Sequence, residues 1–156
     1  MAETETSPPR ADAARRGWMR VLALADPAEL DRAYGALGEL PPCHWLRRPE
    51  TGMAMVRARS GGTGAQFNLG EVTVTRCALA LAEGVMGVAY VRGRAPRHAE
   101  QAAMVDALLQ LPQWHERVQA ALIAPLARVH AERRDARARD TAQTRVDFYT
   151  LVRGED

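Results

Sequence analysis

Between Cys43 and Arg92 the chain alternates at a period of two and is broken only by turns a few residues long. That stretch limits the fold more than any other, because side chains on a strand switch faces at every residue. From Met53 to Ser60, Ala54, Val56 and Ala58 fall on one face, and Met53, Met55, Arg57 and Arg59 on the other. Gly61-Gly62-Thr63-Gly64 is a turn and Phe67–Leu69 a short apolar strand. Glu71–Leu81 alternates threonine and valine before becoming wholly apolar. After the Glu83-Gly84 turn, Val85–Arg92 is a further strand. Parallel neighbours need crossovers of a dozen residues or more, so strands linked this tightly form an antiparallel meander.

Helices flank this block. A first helix fits 12–25, with Trp18, Val21, Leu22 and Leu24 as its apolar stripe. Asp26-Pro27 restarts a second, running to about Leu37: Asp26 caps the free N–H groups and Pro27 suits a position that needs no amide. A third helix fits 97–111, directing Ala99, Ala103, Leu108 and Leu111 to the core, with His98 a possible cap. A fourth fits 113–142, where Pro125 must start a new helix or kink this one. Its later part, from Ala127, has almost no large apolar residue, as in a helix that is solvated or bridges to another body. Arg145–Arg153 alternates again and closes the chain as a strand. The expected fold is α+β: a mostly antiparallel sheet of about four to five strands flanked by helices, with a C-terminal helix–strand arm. Residues 1–11 are expected to be a flexible acidic tail, 12–156 a single domain, and 127–156 an arm suited to docking on a partner.

The 156 residues include no lysine; all 21 basic residues are arginine. A Schiff base, a lysine general base and a P-loop lysine are therefore excluded in this chain. A net charge of +2 is too small to indicate nucleic acid. No run reaches the ~18 apolar residues of a spanning helix, and the acidic start lacks a signal peptide's pattern. No membrane partner is expected, and the cytoplasm is the expected compartment. Cys43 and Cys77 form no CxxC pair and read as reduced core or sheet residues. His44, His98, His115 and His130 show no metal-ligand spacing, so no metal site is expected.

No catalytic set emerges. The best internal candidate for an anion or partner contact is Gly61, Gly62, Thr63 and Gly64, whose glycines expose backbone N–H groups, with Arg57 and Arg59 on the preceding strand. No lysine and no helix follow, so it is not a Walker loop. A plain hairpin turn explains the same residues more simply, and a free-standing phosphate- or phosphonate-binding domain is the alternative. Arg145, Asp147, Phe148, Tyr149 and Arg153 lie on the last strand, which either completes the chain's own sheet or docks on another subunit.

One ordered set of motifs resembles a known family. Arg16, Trp18, Met19, Val21, Leu22 and Pro27-Ala28-Glu29-Leu30 are followed by Glu50-Thr51-Gly52, Ala58-Arg59, Gly61-Gly62-Thr63-Gly64, Phe67, Gly70, Thr73 and Thr75-Arg76. Then come Gly93-Arg94, His98-Ala99-Glu100, Asp106-Ala107-Leu108, Leu122-Ile123-Ala124-Pro125-Leu126 and the ending from Arg145 to Gly154. Together, over about residues 16–154, they resemble the PhnG family of the bacterial carbon–phosphorus lyase system. The resemblance implies a subunit of a complex with PhnH, PhnI and PhnJ, assisted by the ATPase-like PhnL. It implies that the complex moves the ribose triphosphate moiety of ATP onto methylphosphonate and releases adenine. ATP and the alkylphosphonate are then substrates of the complex, this chain binds no cofactor alone, and its part is structural or accessory to PhnI. The resemblance carries no catalytic residue over to this sequence.

Overall fold

A computed structural model describes residues 9–82 and 84–143, with side chains from residue 12. The elements are α1 (Pro9–Leu24), α2 (Pro27–Gly35), β1 (Cys43–Arg59), β2 (Gln66–Leu81), β3 (Met86–Arg92), α3 (Pro96–Leu109), α4 (Pro112–Val118) and α5 (Ala124–Gln143). A 3-10 turn, Ser60–Gly62, joins β1 to β2, and a π-helical turn, Gln119–Ile123, joins α4 to α5. The strands form one antiparallel meander in the order β1-β2-β3.

The architecture is α+β as expected, but among the described residues there are three strands rather than four to five. Phe67–Leu69 and Glu71–Leu81 are one strand, because Gly70 does not break it. Gly70 pairs with Val56 beside a bulge that leaves Leu69 as the extra residue. β1 begins ten residues before Met53, and Pro49 sits inside it. A proline is tolerated there because β1 is an edge strand and its register shifts between Arg47 and Glu50. The expected terminal strand, with Arg145, Asp147, Phe148, Tyr149 and Arg153, lies outside the described residues.

α3 forms the centre of the core. Eleven of its residues, from His98 to Leu109, are buried, because it packs on β2 and β3 with one side and meets α1, α2 and α4 with others. Its alanines permit close approach. A Cβ on Gly87 of β3 would stand 2.0 Å from the carbonyl oxygen of Ala103, so only glycine fits where strand and helix touch. Ala99, Ala103, Leu108 and Leu111 are buried as the periodicity predicts, together with Leu22, Leu30, Leu79, Leu81 and Leu122. Leu24 is a correction to the expected α1 stripe, being 51% exposed at that helix's last residue.

The expected restart at Asp26-Pro27 is found. Asp26 Oδ1 accepts from the amides of Ala28 (3.0 Å) and Glu29 (3.3 Å), with Pro27 opening α2. Pro125 has the expected effect. The helix widens just before it, with the Ala124 amide reaching back to Gln119 O, and then continues as α5. His98 does not cap α3; Ala95 holds that position without a side-chain bond.

Candidate functional site

The polar groups inside the body hold the fold together. Asp106 is fully buried yet satisfied. Arg15 donates to it from Nε (3.1 Å) and Nη2 (2.7 Å), Trp18 from Nε1 (2.9 Å) and Val88 from its amide (3.0 Å). One carboxylate thus ties α1, β3 and α3 together. His98 donates from Nε2 to Leu22 O (2.7 Å) and His115 from Nδ1 to Leu109 O (2.6 Å), so both imidazoles are engaged in packing. Thr75 donates to Gly93 O (2.6 Å) and accepts from the Ala95 amide (3.0 Å), fixing the link from β3 to α3. Cys77 donates to Ala99 O (3.0 Å), and burial pushes its thiol up to about 12. Both cysteines are free, Cys77 buried and Cys43 exposed. Among the described residues no group of three His, Cys, Asp or Glu side chains is placed to hold a metal, and no helix is long and apolar enough to cross a membrane.

The outward-facing feature is the β1–β2 hairpin. Toward its turn it runs past the helices, and every residue from Gln66 to Val72 is exposed. The row that buries Thr75, Cys77, Leu79 and Leu81 continues outward as Thr73 and Glu71, paired with Met53 and Met55. Among the described residues no helix covers it there. Met53 and Leu69 are each 64% exposed, and Met55, Phe67 and Val72 are exposed as well. The base of the hairpin is clamped by charge. Glu50 accepts from Arg47 Nη1 (2.5 Å) and Arg76 Nε (2.8 Å), and these two arginines, Arg47 first, hold its carboxyl below the usual range.

The sequence-predicted anion candidates all lie at the tip of this ribbon. Arg57 faces Asn68 across the ladder and Arg59 faces Gln66. Arg59 Nη1 donates to Gly64 O (3.1 Å), and the Gly64 amide donates to Ser60 O (2.8 Å). Gly61 and Gly62 have φ of +56° and +81°, and a Cβ on Gly64 would come within 2.7 Å of Ser60 O. The glycines and Thr63 are thus accounted for by the turn itself. Arg57 and Arg59 are brought to it, while the arm residues 145–153 fall outside the described part.

A second feature was not legible in the sequence. A cleft of about 510 Å³ opens between the end of α1, the start of α2, the end of β3 and one side of α5, and Arg92, His130, Arg133 and Arg137 line it. These residues are up to 45 positions apart, and only the fold brings them together. Asp106 did carry a signal, as an acid inside the apolar run 102–109.

A family model described as "Phosphonate metabolism protein PhnG" matches residues 13–154. The chain belongs to the PhnG family. It is also 43% identical, over all of its length and 99% of the relative's, to a protein of Rhizobium meliloti (strain 1021). That relative is named "Alpha-D-ribose 1-methylphosphonate 5-triphosphate synthase subunit PhnG". The PhnG match spans every element from α2 to α5 and includes the whole exposed hairpin.

Proposed function

We propose that the chain is an accessory, non-catalytic subunit of the assembly that transfers the ribose triphosphate moiety of ATP to methylphosphonate with release of adenine. It seats on PhnI, within a complex that includes PhnH and PhnJ and is served by PhnL. The observation that carries this reading is the bare hairpin. A two-stranded ribbon is marginal in water by itself, and a contiguous exposed apolar patch on a folded body marks a surface that another protein covers. Met53, Met55 and Leu69 supply that patch. The polar residues of α5 and the 145–153 segment supply a second contact. Membership of the PhnG family and the relative's name as a synthase subunit support the assignment to this assembly.

The test is co-expression with PhnI. A chain carrying Met53→Ser, Met55→Ser and Leu69→Ser should keep its own urea midpoint and lose copurification. Retained copurification of that variant overturns the hairpin as the docking element, and a chain truncated after residue 143 tests the arm in the same way. The meeting of Arg57, Arg59 and the glycine turn at one tip favours a second reading, a free-standing phosphate- or phosphonate-binding domain. Titration calorimetry with methylphosphonate separates the two. Binding by the isolated chain that disappears in Arg57→Ala/Arg59→Ala supports the second reading.

A further inference from the structure

We propose that the cleft between α1, α2, β3 and α5 is a binding site for a phosphorylated small molecule of nucleotide size, gripped through Arg92 and Arg137. The floor is apolar and largely buried, formed by Val91 and Leu126 with Ala95 beside them. Arg92, Arg133 and Arg137 rise around it, with His130 half-buried among them. The three arginines differ in what holds them. Arg133 Nη2 donates to Glu29 (3.0 Å), and Nη1 lies 4.0 Å from Asp26, so this guanidinium is neutralised and fixes α5 to α2. No ion pair or hydrogen bond among the described residues uses the guanidinium of Arg92 or Arg137; Arg137 contributes only its carbonyl, which accepts from the Thr141 hydroxyl (2.9 Å). Two unspent guanidiniums therefore share a concave site with one that is already anchored.

Guanidinium forks match the oxygens of phosphate two at a time and keep their charge at every physiological pH. The acids in the cleft do not cancel this pair. Asp26 and Glu29 are turned to Arg133, and Asp26 also caps α2. The apolar floor would receive a flat ring. A volume of about 510 Å³ falls within the range of small-molecule sites and exceeds what inorganic phosphate alone would fill. The site is separate from the hairpin tip.

The experiment is titration calorimetry of the full chain with ATP, with inorganic triphosphate and with adenosine, repeated on Arg92→Ala, Arg137→Ala and the tip variant Arg57→Ala/Arg59→Ala. The expected result is that ATP binds and adenosine does not, with ATP tighter than triphosphate. Each cleft substitution should weaken ATP by about tenfold, the loss of one charged hydrogen bond, and the tip variant should leave it unchanged. Arg92 and Arg137 are exposed, so both substitutions should preserve the urea midpoint, which confirms that the comparison is between folded proteins. Failure of ATP to bind the wild-type chain overturns the proposal. So does binding that the cleft variants leave intact, or that the tip variant abolishes. Copurification with PhnI is expected to survive Arg92→Ala, whose residue lies on β3 outside both docking contacts, so this test can fail while the docking reading stands.

Discussion

At the scale of single residues, two positions decide whether the body closes. Asp106 receives four hydrogen bonds, and removing it leaves the Trp18 indole and the Val88 amide unpaired and Arg15 with only Met86 O as acceptor. Asp106→Ala should cost about 3 kcal/mol or more in urea unfolding, in the range for breaking one side of a buried charged pair. Gly87→Ala places a methyl against the Ala103 carbonyl, and should cost about 1–3 kcal/mol by the same measurement, as overpacking does. Thiol chemistry reads the core independently. Cys77 is buried with its thiol pushed up to about 12, so an alkylating reagent at neutral pH should modify Cys43 alone. Rapid modification of Cys77 in the folded chain would show that the α3–β2 contact opens. Of these residues, Asp106 stands out in the sequence only as an acid inside the apolar run 102–109. The need for glycine at position 87 arises from a helix packed across the strand, which no local pattern records.

At the scale of elements, the sequence was most informative where a period ran uninterrupted. The α2 cap, the core face of α3, the antiparallel order of the strands and the break at Pro125 all follow from local rules. Strand boundaries were less legible. Gly70 and Pro49 look like breaks, yet register shifts beside them absorb both within continuous strands. The same length makes β1 and β2 reach past the helices, so the extent of the exposed ribbon was hidden along with the boundaries. The hairpin base has a pH dependence of definite sign. Glu50 has its carboxyl lowered by Arg47 and then Arg76, and Asp31 has its own lowered by Arg97 and then Gln101. A carboxyl depressed on folding contributes stability above its ordinary value and loses it as pH falls through the folded one. The urea midpoint should therefore decline on acidification below about pH 4, and Glu50→Gln should make that decline shallower. An identical acid profile in Glu50→Gln would remove the clamp from the account. Both groups are solvent-exposed, so the effect is modest.

At the scale of the whole molecule, the structure divides into a body that spends its polar groups on itself and two features that do not. The body contains α3, the Asp106 junction and the engaged imidazoles. The outward features are an apolar ribbon with arginines at its tip and a cleft with two unspent arginines. The ribbon tip was visible in the sequence because its glycines and arginines are adjacent in the chain. The cleft was not, since Arg92 and Arg137 meet only after β3 and α5 are placed. On the proposed reading, a molecule organised in this way acts by what it holds and where it sits. The most direct measurement is adenine release from ATP and methylphosphonate by the purified chain with no other subunit present. The account predicts none above the rate without protein, and steady turnover by the chain alone would contradict it.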